Sequence, residues 1–306
     1  MEGSRKGVRR PSHLRLYGLI ALMVLFWSMN FTIGKFALRE FHPVLLSGLR
    51  TGLAALFIAP IYLWSLRHPP AAGGSHGENL RRDWRVLLLL GVVGVALNQV
   101  FFVYGLSRTS VAHSALIMGM TPILVLLLAG RAGQESIGIR KVAGMAVAVA
   151  GVAAINAAPS KGGQATPAGD FFIFLASAAF AVFTVVGKQV TARHGSITVN
   201  TVAYLGGAAA MAPLTLSLAG AFPFETVTAR GWLSLLYMAL FPSMICYLIY
   251  YYALTHIPAS RLSAFSYFQP LLATILALVL LGEHISGGLA AGGALVLAGV
   301  YITERG

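Results

Sequence analysis

The sequence predicts an all-α integral membrane protein in which ten transmembrane helices form two inverted five-helix repeats. Three features carry that expectation: an apolar, charge-poor composition, a series of apolar windows between polar breaks, and a register in which the second half of the chain reproduces the first.

Of 306 residues, 57% are hydrophobic and 10% charged, and the mean hydropathy is +0.78. A soluble domain carries about a quarter charged residues to keep its surface wet, so lipid is the solvent this chain requires. The formal net charge of +13 does not point to nucleic acid, because Lys and Arg sit in short stretches between apolar runs and form no basic stripe. The single cysteine, Cys246, lies inside an apolar run, which leaves no disulfide framework, zinc spacing or C-x-x-C pair. The sequence also lacks H-E-x-x-H, paired intramembrane aspartates and a glycine-rich phosphate loop. The expectation is therefore no enzyme, no metal and no cofactor.

The apolar windows fall at residues 14–35, 43–66, 84–106, 110–130, 137–157, 168–190, 197–219, 231–254, 258–282 and 287–303. About twenty residues at 1.5 Å each match a 30 Å hydrocarbon core. A basic tail, 1–13, precedes the first window as it would in a signal peptide. That window is too long for a signal h-region, and no small-residue cleavage site follows it, so it reads as the first membrane helix. With the N-terminus inside, only Lys35, Arg39, Arg108, Lys161 and Arg230 fall on the far face, while the other loop Lys and Arg stay with the termini. Cytoplasmic loops retain positive charge, so both termini are expected in the cytoplasm of a multi-pass cell (inner) membrane protein, which requires an even helix count.

Sliding the second half on the first at an offset of 148 (283 − 135) pairs Trp84 with Trp232, Tyr104 with Tyr252, Pro122 with Pro270, Glu135 with Glu283, Gly144 with Gly292 and Gly151 with Gly299. Upstream the offset is 153 (188 − 35), pairing Gly34 with Gly187, Lys35 with Lys188 and Pro60 with Pro213. The repeats are expected over 14–157 and 168–303. Each holds five windows, an odd number, so the second must cross the membrane in the opposite sense. Inverted repeats are the geometric basis of alternating access.

The chain resembles the ten-helix members of the drug/metabolite transporter superfamily (EamA type). The resemblance is carried by Trp27-Ser28-Met29-Asn30-Phe31, Arg50, the stretch from Asn98 through Tyr104-Gly105-Leu106 and Thr121-Pro122 to Glu135, and the matching Tyr252-Ala253-Leu254, Gln269-Pro270 and Gly282-Glu283. One departure is Gly133-Gln134-Glu135, where Gly is not directly before Glu as it is in the second copy. The resemblance implies export of a small organic metabolite such as an amino acid, across the bilayer, without naming the substrate. A flippase for a lipid-linked substrate would use the same fold.

Candidate pathway residues follow from polarity at mid-membrane depth. Amides and hydroxyls there must find partners in a neighbouring helix or a solute, and aromatic walls suit an amphipathic ligand. Trp27, Asn30, Asn98, Gln99, Thr121, Thr184, Tyr247, Tyr251, Tyr267 and Gln269 meet this description. Pro122 and Pro270, near the middles of the fourth and ninth windows, remove backbone hydrogen bonds and free the carbonyls of Met118 and Ser266, marking kinks for gating. Arg50 is the only charge well inside a window, where it either holds a substrate carboxylate, caps a neighbouring helix or snorkels. Glu135 and Glu283, at helix ends, read as caps of the following helices rather than proton carriers. His113 reads as an interfacial or packing residue. Gly144, Gly151, Gly292 and Gly299 mark a close-packing surface away from the path, which a homodimer could also use.

Overall fold

The computed structural model describes residues 13–67, 80, 82–133, 137–157, 165–257, 259, 262, 265, 268–282 and 286–305. Within them the ten windows fold as helices: α1 (His13–Ala37), α2 (Pro43–Arg67), α3 (Trp84–Arg108), α4 (Val111–Arg131), α5 (Ile139–Ala157), α6 (Pro167–His194), α7 (Ser196–Ala219), α8 (Ala229–Leu254), α9 (Phe268–Leu281) and α10 (Gly287–Arg305). No strand occurs among the described residues. Ser266, Tyr267, Glu135 and Glu283 lie outside them. Large side chains such as Leu14, Leu56, Leu216, Leu233 and Val279 stand exposed on the outside, which only a lipid surround tolerates.

Helix ends meet in a way that fixes direction. The carboxylate of Glu40, just past α1, accepts from the backbone N–H (2.7 Å) and hydroxyl (2.8 Å) of Thr228 at the start of α8. Asp83, before α3, meets His194 (2.8 Å) and Arg193 (3.3 Å) at the end of α6, and the Thr166 hydroxyl ahead of α6 donates to the Arg108 carbonyl at the end of α3. Odd and even helices therefore run antiparallel, and five helices per repeat invert the second copy. The face where α1 begins is called proximal below, the other distal.

The repeats interlock. Helix α1 packs on α8 and α9, while α3 and α4 pack on α6, so two three-helix bundles each combine both repeats and correspond to one another under the inverted symmetry. Beside them, α2 packs on α7 and α5 on α10. At the α5–α10 contact a Cβ on Gly144 would stand 2.5 Å from the Gly299 carbonyl oxygen, and one on Gly151 2.7 Å from that of Gly292. Only glycine lets these backbones approach so closely. The predicted small-residue surface thus joins the two repeats of one chain.

Four local features were not in the sequence reading. Residues Leu90–Leu97 of α3 and Ala239–Ile245 of α8 wind as π-helix, at the same register of the two repeats. In α8 the cause is legible: Pro242 brings no N–H, and the Ser243 hydroxyl donates to the Met238 carbonyl at 2.8 Å. Helix α4 breaks at Gly119-Met120, so Pro122 opens a second helical segment, where a missing N–H costs nothing. The Met118 carbonyl expected to be freed accepts from the Thr121 hydroxyl at 2.6 Å. Gly133 (φ 68°) and Gly282 (φ 66°) both take the left-handed conformation that ends a helix, despite their different spacing from the following glutamates.

Candidate functional site

A cavity of about 60 Å³ lies between the two bundles, lined by Trp27, Asn30, Phe31, Arg50, Asn98, Gln99, Phe102, Met118, Thr121, Phe180, Tyr247 and Gln269. Helices α1, α8 and α9 supply one wall, α3, α4 and α6 the other, and Arg50 comes from α2. The volume holds about five waters, whereas small-molecule pockets span about 300–1,000 Å³.

The π segments aim part of this wall. Each ends within two residues of a lining residue, Asn98 in α3 and Tyr247 in α8. One extra residue rotates the helix beyond it by about 100° relative to a continuous α-helix. Asn98, Gln99 and Tyr247 are then tied together across the repeats. The Tyr247 hydroxyl donates to Asn98 Oδ1 (3.1 Å), Asn98 Nδ2 donates to the Ala176 carbonyl (2.8 Å), and Gln99 Nε2 lies 3.5 Å from the Tyr247 oxygen. Trp27 Nε1 donates to the Pro242 carbonyl inside the α8 π turn at 3.0 Å.

Aromatic rings fill the interior on the proximal side. Trp27 meets Phe180 edge-on at 5.6 Å and Tyr247 at 5.9 Å, and further along α6, α7 and α8 the rings of Phe183, Tyr204, Tyr250 and Tyr251 interlock with them. Toward the distal side the contact between walls is Phe31 against Phe102, at 5.4 Å.

Arg50 is the one charged lining residue and is only 2% exposed. Its Nε donates to Ser243 Oγ at 2.6 Å, and its guanidinium carbon stands 5.8 Å from the Phe102 ring centre. Its Nη1 has no hydrogen-bond partner, and no ion pair to Arg50 occurs among the described residues. Two buried acceptors of the lining, Asn30 Oδ1 on one wall and Gln99 Oε1 on the other, are likewise unmatched.

Eight of the residues expected on the path from polarity or charge, together with Met118, therefore surround one cavity. Thr184 and Tyr251 are not among its lining residues: their hydroxyls bond to Phe180 and Tyr250 and to the Phe183 carbonyl, respectively. Pro270 lies in the first turn of α9, and a Cβ on Gly119 would stand 3.3 Å from its ring, so the symmetry-related α4 and α9 touch. His113 pairs with Asp170 at 3.0 Å, joining α4 to α6 at the distal end. Sequence reasoning passed over Phe31, Phe102 and Phe180, because phenylalanine in a membrane helix reads as lipid-facing. The offset of 153 could have found Phe180, which it pairs with Trp27.

Among the described residues, ten helices, seven of them long and apolar enough to cross a membrane, in inverted halves around a shared central cavity define a multi-pass membrane carrier. The profile of the EamA-like transporter family matches residues 14–157 and again 167–305, and the chain belongs to that family. An uncharacterized transporter of Archaeoglobus fulgidus is 27% identical over 292 residues, spanning 94% of this chain and 98% of the relative. A probable terminal-alkyne amino-acid exporter of Streptantibioticus cattleyicolor is 28% identical over 282 residues, spanning 91% and 93%. A crystal structure at 20% identity superposes with a TM-score of 0.65, covering 95% of this chain and 96% of the other, which establishes the shared fold.

Proposed function

We propose that this transporter exports a small amphipathic organic metabolite, an amino acid or a close relative, from the cytoplasm by alternating access. One observation carries the reading: both repeats contribute to each wall of a single cavity, so exchanging conformations between the halves presents the same side chains to either face. Ring faces beside amides and one guanidinium suit a solute with an apolar body and a polar head. The Streptantibioticus cattleyicolor relative, named for amino-acid export, supports the same class. The proximal face is the cytoplasmic one, in a cell (inner) membrane, because it gathers most of the loop Lys and Arg. Trp27, Asn30, Arg50, Asn98, Gln99 and Gln269 would contact the solute, and the break in α4 beside Pro122 would flex against Pro270 of α9.

The test is efflux from proteoliposomes loaded with a mixture of amino acids, with and without imposed proton and voltage gradients. Saturable movement of one solute class, lost in Asn98→Ala, is expected. If no soluble compound moves while a fluorescent lipid changes leaflet, the cargo is a lipid instead.

A further inference from the structure

The cavity contains a charge for which the described residues offer no partner. All carboxylates with a described partner stand at helix ends: Glu40 with Thr228, Asp83 with Arg193 and His194, Asp170 with His113 and Thr109. None is a lining residue. Arg50 is held instead by a neutral hydroxyl and a ring face, and its Nη1 donates to nothing. A guanidinium is always charged and presents a planar fork of donors that matches a carboxylate. Removing it from water without a counter-ion is strongly unfavourable, and an anion placed against it recovers much of that cost. Snorkelling does not relieve it, because Nε is directed to Ser243 on α8, inside the fold.

We infer that Arg50 is the docking point for a carboxylate on the transported solute, which selects carboxylate-bearing compounds over matched amides and amines. The inference rests on the carrier reading above and narrows it. The single cation sets the head-group class, while Trp27, Phe102 and Phe180 accommodate the apolar body. The unmatched carbonyl oxygens of Asn30 and Gln99 ask for donors, so an ammonium or hydroxyl beside the carboxylate is tolerated, but an ammonium alone leaves Arg50 opposed by a like charge.

The experiment compares efflux of 3-phenylpropionate, phenylalanine, phenylalaninamide and phenethylamine from the same proteoliposomes that carry the amino-acid mixture, using the wild type, Arg50→Gln and Arg50→Lys. Expected is at least tenfold preference for the two carboxylates over the amide and amine. Arg50→Gln is expected to erase the preference, and Arg50→Lys to keep part of it because the charge survives without the fork. Thermal unfolding of each variant, measured in parallel, separates loss of selectivity from loss of fold. If amides or amines move as well as carboxylates, or if a folded Arg50→Gln keeps the wild-type preference, the inference fails and the carrier reading stands. If neither the probes nor any compound of the mixture moves, both fall together.

Discussion

Arg50 Nε and Ser243 Oγ stand 2.6 Å apart, so a guanidinium from the first repeat is anchored on the π-helical turn of the second. The same hydroxyl donates to the Met238 carbonyl, which ties the position of the charge to the local winding of α8. Ser243→Ala removes the acceptor that orients the fork. Hydrogen bonds to charged groups are worth about 1.5–3 kcal/mol, so the KM for a carboxylate solute should rise about tenfold or more. An unchanged KM in a folded Ser243→Ala protein would show that the anchor does not orient Arg50 for binding.

Asn98 and Tyr247 form a buried pair across the repeats, and removing Asn98 takes away the acceptor of the Tyr247 hydroxyl. Asn98→Ala should destabilise the protein by about 1–3 kcal/mol, because Tyr247 loses its acceptor and the Ala176 carbonyl its donor. Adding Tyr247→Phe should cost less than its single effect, since the phenol no longer needs a partner. Chemical unfolding in detergent checks this: strictly additive losses would mean that the two side chains do not depend on one another.

Much of this arrangement could be read from the chain. The two offsets located equivalent helices, and polarity at mid-membrane depth selected Trp27, Asn30, Asn98 and Gln269, which do share a cavity. Which way a residue faces was less accessible, because it depends on accumulated helical rotation. The π turns shift that rotation in α3 and α8 without a strong sequence mark, except Pro242. Thr184 and Tyr251 looked equivalent to Asn98 by polarity, yet their hydroxyls are satisfied by neighbouring backbone and Tyr250. The break in α4 was legible only as Pro122, since the turn at Gly119-Met120 that begins it contains no proline.

The α5–α10 contact makes a steric prediction. A Cβ at Gly299 would stand 2.3 Å from the Ala148 backbone nitrogen, with no flexible side chain to yield, whereas a Cβ at Gly18 meets nothing within 4 Å. Gly299→Ala should therefore lower stability by about 1–3 kcal/mol through forced separation of the helices. Gly18→Ala, in α1, should leave stability unchanged or raise it slightly. Equal melting temperatures for the two variants would contradict the close approach.

Asp83 and His194 close the proximal end of the α3–α6 contact at 2.8 Å, with the His194 side chain 3% exposed. A double-mutant cycle with Asp83→Asn and His194→Gln should give a coupling of about 0.5–3 kcal/mol in unfolding free energy. Arg193, whose side chain is half exposed, should couple to Asp83 by less than about 1 kcal/mol, because water screens it. A cycle in which His194 couples no more strongly than Arg193 would remove the buried pair as the main tie.

Access to the cavity should be one-sided in this conformation. Seven rings from α1, α6, α7 and α8 fill the proximal side, whereas Phe31 against Phe102 is the ring contact between the walls toward the distal side. Single cysteines at Asn30 and Gln269, in a Cys246→Ser background, should react with a membrane-impermeant thiol reagent from the distal face faster than from the proximal one. Tyr251→Ala removes a ring packed on Phe183 and frees the space beside Gly187, where a Cβ would lie under the Tyr251 hydroxyl. Proximal labelling should then rise several-fold with distal labelling little changed. Cysteines that resist the reagent from both faces, with and without an exported solute, would rule out Asn30 and Gln269 as path residues. Faster labelling from the proximal face in the parent background would instead place the closed gate on the other side.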